Sequence, residues 1–194
     1  MTEDPKHLVR TLHLREEDAV HIRHPLNPNS EVFVHRLSDR VGMMRAHLSL
    51  ARVPPGKESF ILHSHSLQEE FLFILDGNGL ATIGEQQVPV GSGDYLGFPT
   101  DGTPHHLVNT GEHDLVYLMG GERTTVEVGH FPSLGKVAVF QAGIVKLFDQ
   151  ATAPRRKSCP SASGSRTRTS APREPGSNAA AGTVSCGTAL RRSA

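Results

Sequence analysis

The chain has 194 residues, equal numbers of basic and acidic side chains at 20 each, and a hydrophobic share of only 37%. That length allows one domain plus a tail. The longest clearly apolar run, Phe71 to Leu75, is far short of a membrane span, so no membrane partner is expected.

The N-terminus MTEDPKHLVR is charged and lacks the apolar stretch of a secretory signal. Residues 1–24 are polar with scattered Leu and Val, and they read as an extended arm or edge strand. From residue 25 to 150, short runs recur between turn signals. They are Glu31–Arg36, Ala46–Val53, Ser59–His63, Glu70–Leu75, Leu80–Ile83, Gln86–Val90, Tyr95–Phe98, His105–Val108, Leu115–Met119, Thr124–Val128, Lys136–Phe140 and Ile144–Phe148. Pro54-Pro55-Gly56, Asp76-Gly77-Asn78-Gly79, Gly91-Ser92-Gly93-Asp94 and Thr110-Gly111-Glu112 punctuate them. Short strands at close, regular spacing predict an all-β barrel or sandwich. The one stretch with a helix-like pattern lies near Ala142 to Gln150. In Leu115–Met119 both faces are apolar, as in a strand between the barrel and a partner sheet.

Residues 151–194 differ in kind. Val184 and Leu190 are their only large aliphatics, and Ser, Ala, Gly, Pro, Thr and Arg dominate. Such a segment buries too little apolar area to offset chain entropy, which predicts disorder. It carries eight basic residues and one acid, leaving 12 basic and 19 acidic residues to 1–150. The zero net charge therefore conceals an acidic body and a basic tail. A text of this composition beginning abruptly after a strand reads either as a genuine disordered tail or as a GC-rich gene translated out of frame. Eight charges without aromatics would give at most weak, salt-sensitive nucleic-acid binding. Both cysteines, Cys159 and Cys186, lie in the tail, so the body has neither a disulfide nor a thiolate metal site. That fits a reducing cytoplasm.

The chemistry concentrates in two blocks. The first contains Gly56, His63-Ser64-His65, Glu70 and Gly77. The second contains Gly93, Pro99, Gly102, His105 and Asn109. Histidines at i and i+2 project from the same face of a strand. Three imidazoles with one carboxylate suit a divalent transition metal such as Fe, Mn, Zn or Ni. Four such ligands on an octahedral ion leave two positions open. His106 follows His105 and points to the opposite face of an extended strand, as an exposed or interface residue. His35, His47 and His113 lack ligand spacing and read as structural or surface residues, with His47 also able to line the pocket. Tyr95, Tyr117 and Phe73 read as core residues before pocket walls.

Both blocks resemble the two motifs of the cupin superfamily, small jelly-roll β-barrels with a central metal. By that resemblance His63, His65, Glu70 and His105 are the metal ligands, and Asn109 closes the second motif. Gly56 lies one residue further from His63 than usual, and Pro99 and Gly102 are separated by two residues where one is usual. Both additions fall in turns, which tolerate insertions. The stretches HPLNPNSE, VPPGKESFILHSH and FPSLGK are similar to a bacterial group of single-domain cupins, for which no particular substrate is implied. The resemblance also implies a homodimer.

The distribution of cations narrows the substrate. No Lys or Arg occurs from Glu58 to Glu122. A phosphorylated substrate needs cations near the metal, and here only Arg45, Arg52, Lys57 or Arg123 could supply one. A small neutral or chelating ligand, such as a diol, enol or diketone, fits better. The expectation is a metal-dependent enzyme of dioxygenase type, with Glu70 also able to act as a base. The alternatives are a non-catalytic sensor or storage barrel and, more weakly, a sugar isomerase or epimerase.

Overall fold

The computed structural model describes residues 5–151. The predicted disorder of the tail, its charge, its cysteines and its out-of-frame reading fall outside the described residues. The arm passes through single 3-10 turns at Thr11–His13 and Glu16–Asp18 and enters β1 (Val20–Ile22), an edge strand as expected. Next come β2 (Val32–Arg36), a one-turn helix α1 (Leu37–Arg40), β3 (Ala46–Val53) and the two-residue β4 (Ser64–His65). Then follow β5 (Glu70–Asp76), β6 (Asn78–Ile83), β7 (Gln86–Gly91), β8 (Tyr95–Phe98) and β9 (His105–Asn109). The last are β10 (Leu115–Glu122), β11 (Val126–Phe131), β12 (Lys136–Gln141) and β13 (Ile144–Asp149).

The strands form three antiparallel sheets: β1-β2-β3-β10-β5-β8, β13-β12-β11-β4 and β7-β6-β9. Among the described residues no helix is long and apolar enough to cross a membrane.

Alternation decides which side chains enter the core. The six-stranded sheet contributes Val32, Val34, Ala51, Val53, Leu72, Ile74, Leu115 and Tyr117. The three-stranded sheet answers with Ala81, Val90 and Leu107. A smaller cluster of Ile61, Phe131 and Ala138 fills the end near β4. β10 runs between β3 and β5 within one sheet. Its Leu115 and Tyr117 face inward, while Val116 and Leu118 face outward and are half-buried.

Asn109 is a buried clip at the end of β9. Its amide donates to the carbonyls of Val53 (2.7 Å) and His113 (2.8 Å), and its side-chain oxygen accepts from Gly111 N–H (2.9 Å). Asn109→Ala strands three backbone groups and should cost about 2 kcal/mol, or about 4–8 °C of melting temperature. Calorimetry checks this, and an unchanged Tm would show that water replaces the amide.

Four expectations are corrected. Ser59–His63 is not a ladder strand. It is held by Ser59 N–H to Leu107 O and by isolated bridges from Glu58 to Val108 and from His63 to His105. The segment near Ala142 to Gln150 is not helical. Ala142 and Gly143 both have positive φ, 49° and 78°, which makes a tight hairpin turn joining β12 to β13. Tyr95 and Phe73 are exposed on the outer face of the six-stranded sheet, so neither packs in the core. Of the three aromatic residues, only Tyr117 does.

Candidate metal centre

The candidate ligands come from three stretches of chain. His63 and His65 flank buried Ser64, so both imidazoles leave the same side of the backbone. Glu70 begins β5 and His105 begins β9. Reciprocal backbone hydrogen bonds between His63 and His105 (3.1 and 2.7 Å) fasten the first motif to the second. Phe98 stacks on the His105 ring at 3.7 Å and fixes its plane.

The four side chains converge so that one donor atom from each lies within 4.8 Å of the others. Glu70 Oε2 lies 3.2 Å from His65 Nε2, 3.1 Å from His105 Nε2 and 4.0 Å from His63 Nε2. With metal–ligand bonds of about 2.1 Å, neighbouring octahedral donors are about 3.0 Å apart and opposite ones about 4.2 Å. The residues present therefore fit a divalent ion in spacing and in chemistry. Tautomers fit as well. His63 Nδ1–H donates to Ile61 O at 2.7 Å, which turns the bare Nε2 of the neutral ring toward the centre.

Electrostatics favour a neutral His63 beside a charged Glu70. Burial, and then the neighbouring His105, lower His63 from 6.5 to about 4. Burial would raise Glu70, but its hydrogen bonds with His105 and His65 outweigh burial and hold it well below the usual carboxylate range. Burial opposes charge on His65 too, yet Glu70 and Glu127 raise it overall. Between its ordinary and its folded value, His63 takes a proton in the unfolded chain that the barrel refuses. Its contribution is thus full above about pH 6.5 and is lost as the pH falls toward about 4. His47 and His24, lowered by burial, act in the same direction, and His65 acts in the opposite one. The metal-free barrel should lose Tm steadily between about pH 7 and pH 4.5. A flat or rising Tm across that window would contradict this balance.

A cavity of about 310 Å³ opens over the cluster, walled by Phe60, Ile61, Met119, Phe131 and Phe140, with His24, His47, Gln68 and Glu69 as polar groups. Among the described residues no Lys or Arg lines it. Of the flanking cations, Arg52 pairs with Asp114 and Glu16, Lys57 with Glu31, and Arg123 with Asp39. A larger hollow of about 740 Å³ lies beside it. It shares His47, Glu69 and Glu70 but is lined elsewhere by outward residues such as Leu48, Phe71 and Tyr95. His63, His65 and Glu70 all line the smaller one. His47 lines both cavities, as its position next to Leu48 allowed. His106 Nε2 bonds Glu58 Oε2 at 3.0 Å, a structural role away from the cluster. Tyr117 lies below the centre, in a hollow it shares with His63, Glu70 and His105. Its buried hydroxyl has no hydrogen-bond partner, and burial raises its pKa. Sequence reasoning missed His24 and Glu127. His24 opens the stretch HPLNPNSE but has no ligand spacing, Glu127 belongs to no motif, and each reaches the site from a distant strand or loop.

The fold agrees with the comparisons to known proteins. Residues 49–121 match the cupin domain family. An oxalate-binding protein of Thermotoga maritima is 35% identical over 85 residues, 43% of this chain and 69% of the relative. The chain belongs to the cupin superfamily. An uncharacterized protein of Methanocaldococcus jannaschii is 36% identical over 75 residues, 39% of this cupin and 58% of that protein's length. The crystal structure of a candidate sugar phosphate isomerase from Acidithiobacillus ferrooxidans is 31% identical, with a TM-score of 0.74. The match covers 79% of this chain and 98% of that one.

Proposed function

We propose that this cupin binds one divalent transition metal through His63, His65, Glu70 and His105, and that a small oxygen-chelating molecule docks beside it for dioxygenase-type chemistry. The carrying observation is the convergence of four donors under an apolar, cation-free cavity. When bound, the ion supplies Lewis acidity and, if it is iron or manganese, redox chemistry toward dioxygen.

The chain's own residues do the rest. Phe60, Phe131 and Phe140 exclude water and pack a planar ligand. His24 accepts Leu26 N–H at Nδ1 (3.2 Å), so its neutral ring carries the proton on Nε2, a donor for a ligand oxygen at the rim. His47, lowered by burial, adds a second neutral polar group. A diol, enol or diketone matches this lining.

The likeness to an oxalate-binding protein favours a second reading, a barrel that binds a chelating ligand without turning it over. The likeness to the candidate isomerase favours a sugar phosphate, but the cavity offers no cation for the phosphate. We also propose a homodimer. Leu50, Leu118, Phe73 and Tyr95 lie in register across β3, β10, β5 and β8 and form an apolar row on the outer face that a second copy would cover. A cytoplasmic location belongs to the same proposal and rests on the cysteine-free barrel.

The first test is metal content by mass spectrometry on protein purified without a metal-affinity tag. We expect about one ion per chain, with iron or manganese leading to oxygen uptake on a chelating diol. Bound metal with tight oxalate binding and no turnover would move the function to the second reading. An absence of metal after anaerobic reconstitution would overturn both.

A further inference from the structure

Glu127 is a buried carboxylate with no Lys or Arg paired to it among the described residues; its charged neighbour is His65. It sits in β11, where alternate residues Glu127, Gly129 and Phe131 point inward, and it is only 5% exposed. Burying a carboxylate among apolar neighbours is costly unless its charge is used. Its Oε1 accepts Ser66 N–H at 2.9 Å and Leu67 N–H at 3.4 Å. The same oxygen faces His65 Nδ1 at 3.5 Å, and Nδ1 is buried with no other acceptor. Glu127 Oε2 has no hydrogen-bond partner. Two backbone amides explain the position of one oxygen. They place that oxygen beside His65, whose other nitrogen lies 3.2 Å from Glu70.

Charge counting supplies the reason. Three neutral imidazoles, one Glu70 carboxylate and a divalent ion leave a buried excess of one positive charge. A ring that ligates through Nε2 must keep its proton on Nδ1, and coordination makes that N–H a stronger donor. Glu127 is placed to accept it and to cancel the excess.

We propose that Glu127 is a positioning residue that holds His65 in its Nε2-binding tautomer and neutralises the metal centre, so that the cavity favours ligands of low charge over dianions. The inference rests on the metal-binding reading above. Glu127, on β11, lies outside the residues 49–121 matched to the cupin domain.

The test separates charge from scaffolding. Glu127→Gln keeps an acceptor for the Ser66 and Leu67 amides and for His65 Nδ1–H, and removes only the charge. Full-length protein is stripped and reloaded with Mn(II), and affinity is read by competition with a chelator. Oxalate binding to the loaded protein is read by calorimetry. Glu127→Gln should weaken Mn(II) binding by about 10- to 100-fold, strengthen oxalate binding to the ion that remains, and leave the metal-free Tm nearly unchanged. Glu127→Asp, which restores charge at a longer reach, should recover part of the Mn(II) affinity. Equal Mn(II) affinity in wild type and Glu127→Gln, with Mn(II) still lost on His65→Ala, would overturn the role of Glu127 alone. Retention of Mn(II) by His65→Ala would instead overturn the ligand assignment and this inference with it.

Discussion

His65→Ala should empty the metal centre and leave the barrel folded. Changes one sphere away from a metal cost about 10- to 100-fold in affinity, so deleting a ligand outright should exceed about 100-fold. The fold has little stake in the ring. His65 is half-buried, and β4, which carries it, has only two residues. Core packing comes from Val53, Ile74, Leu107 and Tyr117 on other strands. Glu70→Ala should lose the ion equally, because one carboxylate oxygen faces all three imidazoles. Metal analysis beside circular dichroism decides the matter. Unchanged metal content in both variants, with native spectra, would refute the ligand assignment.

Gly121→Val should be the most damaging single change to the scaffold of the site. Gly121 lies on β10 opposite both Glu70 and His47. A Cβ there would stand 2.2 Å from Glu69 O, a backbone atom that also accepts Glu122 N–H at 3.2 Å. Backbone cannot rotate away as a side chain can, so the start of β5 must shift and carry Glu70 with it. Overpacking of this kind costs about 3 kcal/mol, or about 6–12 °C in Tm, and metal content should fall together with Tm. Gly129→Ala is the control. Its new Cβ meets the Phe140 ring at 3.2 Å, which can yield, so the loss should be smaller. Similar Tm values for the two variants would show that β5 accommodates the clash.

The strands were legible where one face is buried. Ala46–Val53 and Tyr95–Phe98 match the structure residue for residue, because alternation and flanking turns agree there. The four converging donors were legible for a different reason. His-x-His and Glu70 are local, and the second block announces His105 by its Gly and Pro spacing. What escaped depends on tertiary context. Phe73 and Tyr95 are apolar in sequence, yet they stand on the outer sheet face. The Ala142-Gly143 pair carries a left-handed turn that a helix-like pattern concealed. Glu127 looks like any strand acid until β11 meets β4 at Gly129 and His65. The single helical turn Leu37–Arg40 is too short to show a period.

His63 and His65 belong to the neighbourhood of the four-stranded sheet, Glu70 to the six-stranded sheet, and His105 to the three-stranded one. An ion held by all four would rivet three separately hydrogen-bonded sheets at one point. The chain between the first and last ligand spans 42 positions, so closing that loop without the ion carries an entropic cost that grows with its length. Metal supply would then govern the barrel itself. It would set how often the seams between the sheets open, and amide exchange at the ends of β4, β5 and β9 would report the occupancy of the centre.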